Sequence, residues 1–232
     1  MNFSFPNLKW GISEKDDGAM NLRLPDSHPE NIENRKKFFH KLAIEPTRTV
    51  AAELVHGNEI AIVSEDHFNQ IIPEKDGLVT NTKGLFLTVT IADCVPIYYF
   101  DKAKNIIGIA HCGWRGTVKN ISKTLVETMI NTFDSNPADI TAYIGPHIQK
   151  CHFEIKEDIL NHFSPGFIIK DQNSLKVNLL SMIKHQLISL GIPHQNIDSS
   201  DHCTYCNPEK YFSYRREKSD KVESMVAFIG LV

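Results

Sequence analysis

Residues 85–116, LFLTVTIADCVPIYYFDKAKNIIGIAHCGWRG, constrain this chain more than any other stretch. Leu85 to Phe100 is too rich in β-branched and aromatic residues for a helix. Pro96 cannot donate to a ladder, so the segment reads as two strands with Ala92-Asp93-Cys94 at the break. Ile106 to Ala110 is an unbroken apolar run, the pattern of a strand buried on both faces. It delivers the chain to HCGWRGT, residues 111–117. A meander of this kind sets the end of one strand beside the end of the strand that returns along it, so Cys94 and His111 are expected to converge.

Around this centre the pattern predicts further elements. A helix opens at Pro29, with Ile32, Arg35, Phe39 and Leu42 on one face. Thr49 to Val63 reads as two short strands joined by a turn at Gly57-Asn58, with His56 at a strand end, and Asp76-Gly77 marks another turn before LVTN. Val118, Ile121, Leu125, Met129 and Phe133 recur at helical spacing, giving a helix from near Thr117 that stops before Pro137. Ile140 to Ile144 reads as a strand, 156–163 and 174–190 as helices, Tyr211 to Tyr214 as a strand, and Met225 to Val232 as a final strand. Strands and helices mix without a regular βαβ repeat, and no linker divides the chain. The expectation is one α+β domain over residues 1–232, built on mixed sheets.

Composition narrows the function classes. With 41% hydrophobic and 23% charged residues and a formal net charge of −3, the chain reads as an ordinary globular protein. It lacks the basic footprint of a protein that binds a nucleic-acid polymer or an anionic membrane surface. No apolar stretch approaches the roughly 18 residues of a spanning helix, and MNFSFPNLKWG carries no secretory signal pattern. Five cysteines, an odd number, argue for reduced thiols and a cytoplasmic location rather than a disulfide framework.

Cys94 and His111, joined by His56, make a Cys/His/His set. Two imidazoles and a thiolate match the three-ligand sets of catalytic zinc, which keep one position open. The same residues also suit a nucleophile and base, with Cys94 attacking, His111 deprotonating it and Asp93 or a carbonyl orienting the ring. Packed core thiols and hydrogen-bonded imidazoles are the plainer alternative. In GWRGT, Gly113 and Gly116 allow close backbone approach, Arg115 can fork onto an oxyanion, and the helix start offers N–H groups. That is a phosphate cradle, or else a tight turn with Trp114 plugging the core and Arg115 paired to a carboxylate. CTYC (203–206) could be a redox pair, half a zinc site or two packed thiols; the second pair that an all-cysteine zinc site needs is absent. Cys112 and Cys151 have no assigned role. Ser213, Arg215 and Arg216 could contact an anion or a purine edge, although adjacent arginines on a strand point to opposite faces. No His-x-His pair occurs, and His147 and His152 are a poor substitute, so a multicopper site ranks low even though imidazole and thiolate bind copper in vitro.

These motifs resemble the YfiH family, long labelled multicopper polyphenol oxidases or laccase-domain proteins and later associated with purine nucleoside phosphorylase activity. The resemblance runs nearly end to end, through MNLRL (20–24), ENRKKF (33–38), LVHGNEI (54–60), DGLVTN (76–81), TIADCVPIYYFD (90–101), IAHCGWRGT (109–117), IGPHIQKCHFEI (144–155) and HCTYCNPEKYFSYRRE (202–217). It implies a layered α/β/β/α sandwich similar to the catalytic domain of cytotoxic necrotizing factor toxins. It also implies zinc on His56, Cys94 and His111. The implied activities are phosphorolysis of adenosine, inosine and guanosine, methylthioadenosine cleavage and adenosine deamination. Within that chemistry Asp93 is a candidate proton shuttle, Arg115 with Gly113 and Gly116 a phosphate site, and Arg35, Ser213 and Arg215 weaker anion contacts. The implied partners are a purine nucleoside and phosphate, taken by a monomer or homodimer. The rival readings are a cysteine hydrolase or amidase of peptidoglycan-editing type using a Cys94-His111 dyad, and a copper-dependent polyphenol oxidase. Two features depart from the family. His147 and His152 stand where many relatives have small residues or cysteines, and EKSDKVES (217–224) replaces an Asp-Gly and a Gly-Arg pair.

Overall fold

The computed structural model describes residues 3–22, 28–171, 174–218 and 223–232; the last two residues of MNLRL and the centre of EKSDKVES lie outside the described residues. Most strands gather into two mixed sheets. One has the order β1-β14-β6-β2-β4 and contains β1 (Leu8–Ile12), β2 (Thr49–Ala52), β4 (Ile71–Ile72), β6 (Phe86–Ile91) and β14 (Met225–Leu231). The other has the order β13-β9-β7-β8-β5-β3 and contains β3 (Ile60–Ile62), β5 (Gly77–Thr80), β7 (Val95–Asp101), β8 (Ile106–Cys112), β9 (Ile140–Ile144) and β13 (Ile197–Ser199). A small third sheet joins β10 (Glu154–Ile155), β11 (Ile168–Asp171) and β12 (Ser174–Val177). The helices are α1 (Pro29–Lys41), α2 (Trp114–Val118), α3 (Ile121–Phe133), α4 (Leu179–Ser189) and α5 (Tyr214–Glu217).

The layering follows from side-chain alternation. Along β7, Tyr98 and Phe100 point into a core shared with Leu87, Val89 and Ile229 of the five-stranded sheet. The intervening Ile97 and Tyr99 point the other way, toward Leu125 and Met129 of α3 and Ile183 and Leu187 of α4. Phe38 and Phe39 of α1 cover Phe86, Val226 and Phe228 on the far side of the five-stranded sheet. The result is the expected mixed α/β/β/α arrangement. Every residue of β8 is buried, as its unbroken apolar run predicts. Among the described residues no helix is long and apolar enough to cross a membrane.

Two chain crossings decide where the chemistry sits. β6 and β7 are consecutive but belong to different sheets, so Ala92-Asp93-Cys94 is the passage from one layer to the other. β2 and β3 are likewise split between the sheets. The expected pairing of these two across a turn at Gly57-Asn58 is therefore not formed; His56 lies on a crossing loop. Pro96 is tolerated within β7 because pairing with β9 starts one residue later, at Ile97.

Other boundaries move for local reasons. The helix expected from Thr117 begins at Trp114 and breaks at Asn120, which sits in the left-handed region at φ 57 and caps a separate α3. Residues 174–177, expected to be helical, pair as β12 with β11 and β10; the helix starts only after Asn178, whose side chain accepts from the Ser181 N–H. Residues 157–162 form a 3-10 turn rather than a full helix. Tyr211 to Tyr214 is not a strand, because the Ser213 hydroxyl accepts from the Arg216 N–H and opens α5. The buried side of α1 carries Asn31, Arg35, Phe38 and Phe39, leaving Ile32 exposed.

His147 is fully buried, with Nδ1 2.8 Å from the Gly145 carbonyl. Burial lowers its pKa to about 4, although the Gly145 hydrogen bond opposes the shift. An unfolded histidine protonates near 6.5, so between that pH and 4 the unfolded state binds more protons and stability falls on acidification, by at most roughly 3 kcal/mol. His147→Gln should flatten the decline in denaturant midpoint between pH 6.5 and 4; an unchanged acid slope would show that His147 does not cause it.

Candidate metal centre

β7 and β8 run antiparallel with Val95 opposite Cys112 and Pro96 opposite His111. Cys94, one residue before β7, therefore stands beside the end of β8. His56 completes the group from the β2–β3 crossing, its backbone held at φ 58. The donor atoms of His56, Cys94 and His111 all lie within 4.8 Å of one another. The two imidazoles meet edge to face, centroids 4.9 Å apart at 85°. His111 is buried, Cys94 half-buried and His56 exposed, so the group opens toward solvent on the His56 side.

Asp76, which pattern reading takes only as part of a turn, organises this cluster. Its fully buried carboxylate accepts the N–H groups of Val55 (3.2 Å), His56 (3.0 Å) and Gly57 (2.6 Å). One of its oxygens also lies 2.9 Å from His111 Nδ1. That contact makes Nδ1 the protonated nitrogen and leaves Nε2 as the lone-pair donor, the usual arrangement of a metal-binding imidazole. Burial alone would raise the Asp76 pKa, but His111 and the Gly57 and Val55 N–H groups hold it below its ordinary value.

The electrostatics favour a thiolate. Burial opposes ionisation of Cys94, yet His111 and His56 bring its pKa down to about 6. Burial likewise opposes a charged His111, while Cys94 and Asp76 raise it to about 9. Two imidazoles and a thiolate, one imidazole fixed by a carboxylate, are a fitting donor set for a borderline-soft divalent ion with an open position. Cys112, whose pKa burial drives far up, is inert beneath the site.

Glycines shape the walls. A Cβ on Gly113 would lie 3.1 Å from His56 Cδ2 and 3.2 Å from Cys94 Sγ, so this residue is the floor of the cluster. A Cβ on Gly116 would lie 2.7 Å from the Gly57 carbonyl oxygen, so Gly116 lets α2 dock against the His56 loop. Arg115 is exposed and stacks on the Trp114 ring at 4.4 Å, with no carboxylate partner among the described residues.

The remaining expected site residues are engaged inside the protein. Arg35 is buried, donates to the Met20 carbonyl (3.1 Å) and the Thr88 hydroxyl (2.9 Å), and has its pKa lowered by burial to about 10, so in this structure it braces α1. Asp93, at φ 88, accepts from Thr204 Oγ1 (2.6 Å), Ser213 Oγ (3.0 Å) and the Arg215 N–H (2.7 Å). Its carboxylate anchors the C-terminal loop, and the Ser213 hydroxyl is one of its donors. Arg215 donates to the His152 (3.3 Å) and Glu154 (3.0 Å) carbonyls. Arg216 donates to the carbonyls of Thr204, Tyr205 and Tyr211. The adjacent arginines lie on a helical turn, so the alternation expected of a strand does not apply. A cleft of about 610 Å³ against α1, lined by Lys15, Asn34 and Lys41 among others, contains none of the three donors.

Alkylation of Cys94 in metal-free protein should titrate near pH 6, because the thiolate is the reactive form and is lost as pH falls through that value. Asp76→Asn should move the midpoint upward; a wild-type midpoint in the ordinary thiol range would contradict the His111 pairing. Gly116→Ala should cost on the order of 1–3 kcal/mol and weaken metal uptake as α2 is pushed off the His56 loop. Thermal unfolding and metal titration read the two effects separately.

Comparison with known proteins follows the same lines. The family described as multi-copper polyphenol oxidoreductase laccase matches residues 4–232. The purine nucleoside phosphorylase YlmD of Bacillus subtilis is 27% identical over 243 residues, covering 98% of this chain and 87% of that protein. A purine nucleoside phosphorylase of Clostridium acetobutylicum is 33% identical over 193 residues, covering 81% and 77%. The crystal structure of the Bacillus licheniformis hypothetical protein YfiH superposes with a TM-score of 0.90 at 29% identity, covering 97% of this chain and 93% of that one. With the match spanning both sheets and all three donors, the chain belongs to the YfiH-type, multi-copper polyphenol oxidoreductase laccase family.

Proposed function

We propose that this protein is a zinc-dependent, cytoplasmic purine nucleoside phosphorylase, acting on adenosine, inosine and guanosine, with methylthioadenosine phosphorylase and adenosine deaminase activities. The observation that carries the reading is the convergence of His56, Cys94 and His111 within 4.8 Å, with exposed Arg115 four residues after His111 on the first turn of α2. The names of the relatives support the substrate class. His56, Cys94 and His111 would hold the zinc ion, which when bound would supply Lewis acidity.

The chain's own residues do the rest. Asp76 holds His111 in one tautomer, so the donor set is organised before substrate arrives. Arg115, free of a carboxylate partner among the described residues and stiffened by Trp114, receives the phosphate dianion, with the first-turn N–H groups of α2 beside it. In phosphorolysis a phosphate oxygen bonds to the anomeric carbon, the glycosidic C–N bond breaks, and the purine leaves with the electron pair and takes up a proton. Holding phosphate on the far side of that carbon is a contribution of proximity and charge stabilisation.

A second reading rests on a specific contact. Asp76, His111 and Cys94 form a line in which the carboxylate orients the imidazole and the imidazole faces the thiol, the arrangement of a cysteine hydrolase. Chelation separates the two. The phosphorylase reading expects phosphate-dependent release of hypoxanthine from inosine that is lost on chelation and in Cys94→Ser. A hydrolytic activity that survives chelation, with inosine untouched, supports the dyad. Arg115→Ala should raise the phosphate KM on the order of tenfold, about the strength of one charge-assisted hydrogen bond, without a change in Tm. An unaltered phosphate KM would remove Arg115 from the site.

A further inference from the structure

A second group of soft donors lies apart from the one described. Cys151, His152, Cys203 and Cys206 come from two loops far apart in sequence, and their donor atoms all lie within 4.8 Å of one another. The Cys151 and Cys206 sulfurs are 3.7 Å apart, and Cys206 Sγ is 3.2 Å from His152 Nδ1. Sulfurs bound to one tetrahedral ion at about 2.3 Å are about 3.8 Å apart, so the observed spacing is close to the edge of a coordination tetrahedron. CTYC supplies two donors and Cys151-His152 the other two. The pair missing from the sequence pattern is thus completed from another loop, with a histidine in place of the fourth cysteine.

The surroundings suit a closed, structural site. His152 is stacked on Tyr205, rings 4.0 Å apart at 17°, which fixes the direction of its Nδ1. The Gln149 N–H donates to Cys203 Sγ at 3.4 Å, a contact that favours a thiolate. The two loops are already knit beside the cluster by a bridge between His147 and Cys203 and by the Thr204 N–H on the His147 carbonyl (3.0 Å).

We propose that Cys151, His152, Cys203 and Cys206 bind a structural zinc ion. On binding, three thiols release three protons and four protein–zinc bonds form, giving a complex of net charge −1 near the Arg215 guanidinium, which donates to the His152 carbonyl. The ion closes the loop that carries Thr204, a donor to Asp93, the residue before Cys94. The second site thereby braces the crossing on which the first is built. It does not depend on what reaction the first site performs.

Metal analysis of protein purified from zinc-supplemented cells tests this. Wild type should hold about two zinc ions per chain, Cys94→Ser and Cys206→Ser about one each, and the double variant almost none. Cys206 is exposed, so its replacement opens no core cavity. In the Cys94→Ser background, cobalt reconstitution should give a tetrahedral spectrum with thiolate charge-transfer bands, and chelation should lower Tm; both effects should vanish with Cys206→Ser. A wild-type content of about one zinc that Cys94→Ser removes and Cys206→Ser leaves intact would overturn the proposal. Recovery of Cys151 and Cys206 as a disulfide with no zinc in the Cys94→Ser protein would overturn it as well.

Discussion

One buried carboxylate holds the candidate centre together. Asp76 takes three consecutive N–H groups from the Val55–Gly57 loop and the Nδ1 proton of His111. Its own backbone is part of the framework: its N–H donates to the Glu59 carbonyl, and its carbonyl accepts from the His111 N–H at 2.7 Å. A single side chain therefore sets the left-handed turn that presents His56 and the tautomer that His111 offers. An unpaired carboxylate in this position would carry a large desolvation penalty, which the four donors offset. The loop geometry and the ligand chemistry rise and fall together.

Much of this was legible in the sequence. The β-rich stretch with its break at Ala92-Asp93-Cys94 and the apolar run into His111 predicted three strands and the meeting of Cys94 with His111. The mixed α+β class followed from the irregular order of strands and helices, and the α/β/β/α layering from the family resemblance. What pattern reading missed depends on long-range partners. Asp76 looked like half of a turn because Asp-Gly is an ordinary turn pair; its four donors come from residues 19 to 35 positions away. Leu175 falls in helical register with Leu179, Ile183 and Leu187, which hides the alternation of Leu175 and Val177 that β10 and β11 use to make residues 174–177 a strand.

The residues that looked most chemical divide by burial. Arg35 and Ser213 are buried, and Arg215 and Arg216 are tied to backbone carbonyls, so their polar groups close loops. Arg115, on the first turn after Gly113, remains outward-facing. Asp93 is the counterpart of Asp76: a buried acid that holds a loop through Thr204, Ser213 and the Arg215 N–H. Asp76 holds His56 and His111 directly, and Asp93, the residue before Cys94, holds the C-terminal loop.

His56 and Cys94 lie on two of the passages between the sheets, while His111 belongs to a strand of one sheet. Cys94 directly precedes β7, and the His56 loop is pinned by Asp76 beside β5, so both passages are fastened to the sheet that carries His111. An ion held by all three donors would clasp the ends of these passages to the end of β8, making the coordination geometry a property of one sheet and its loops.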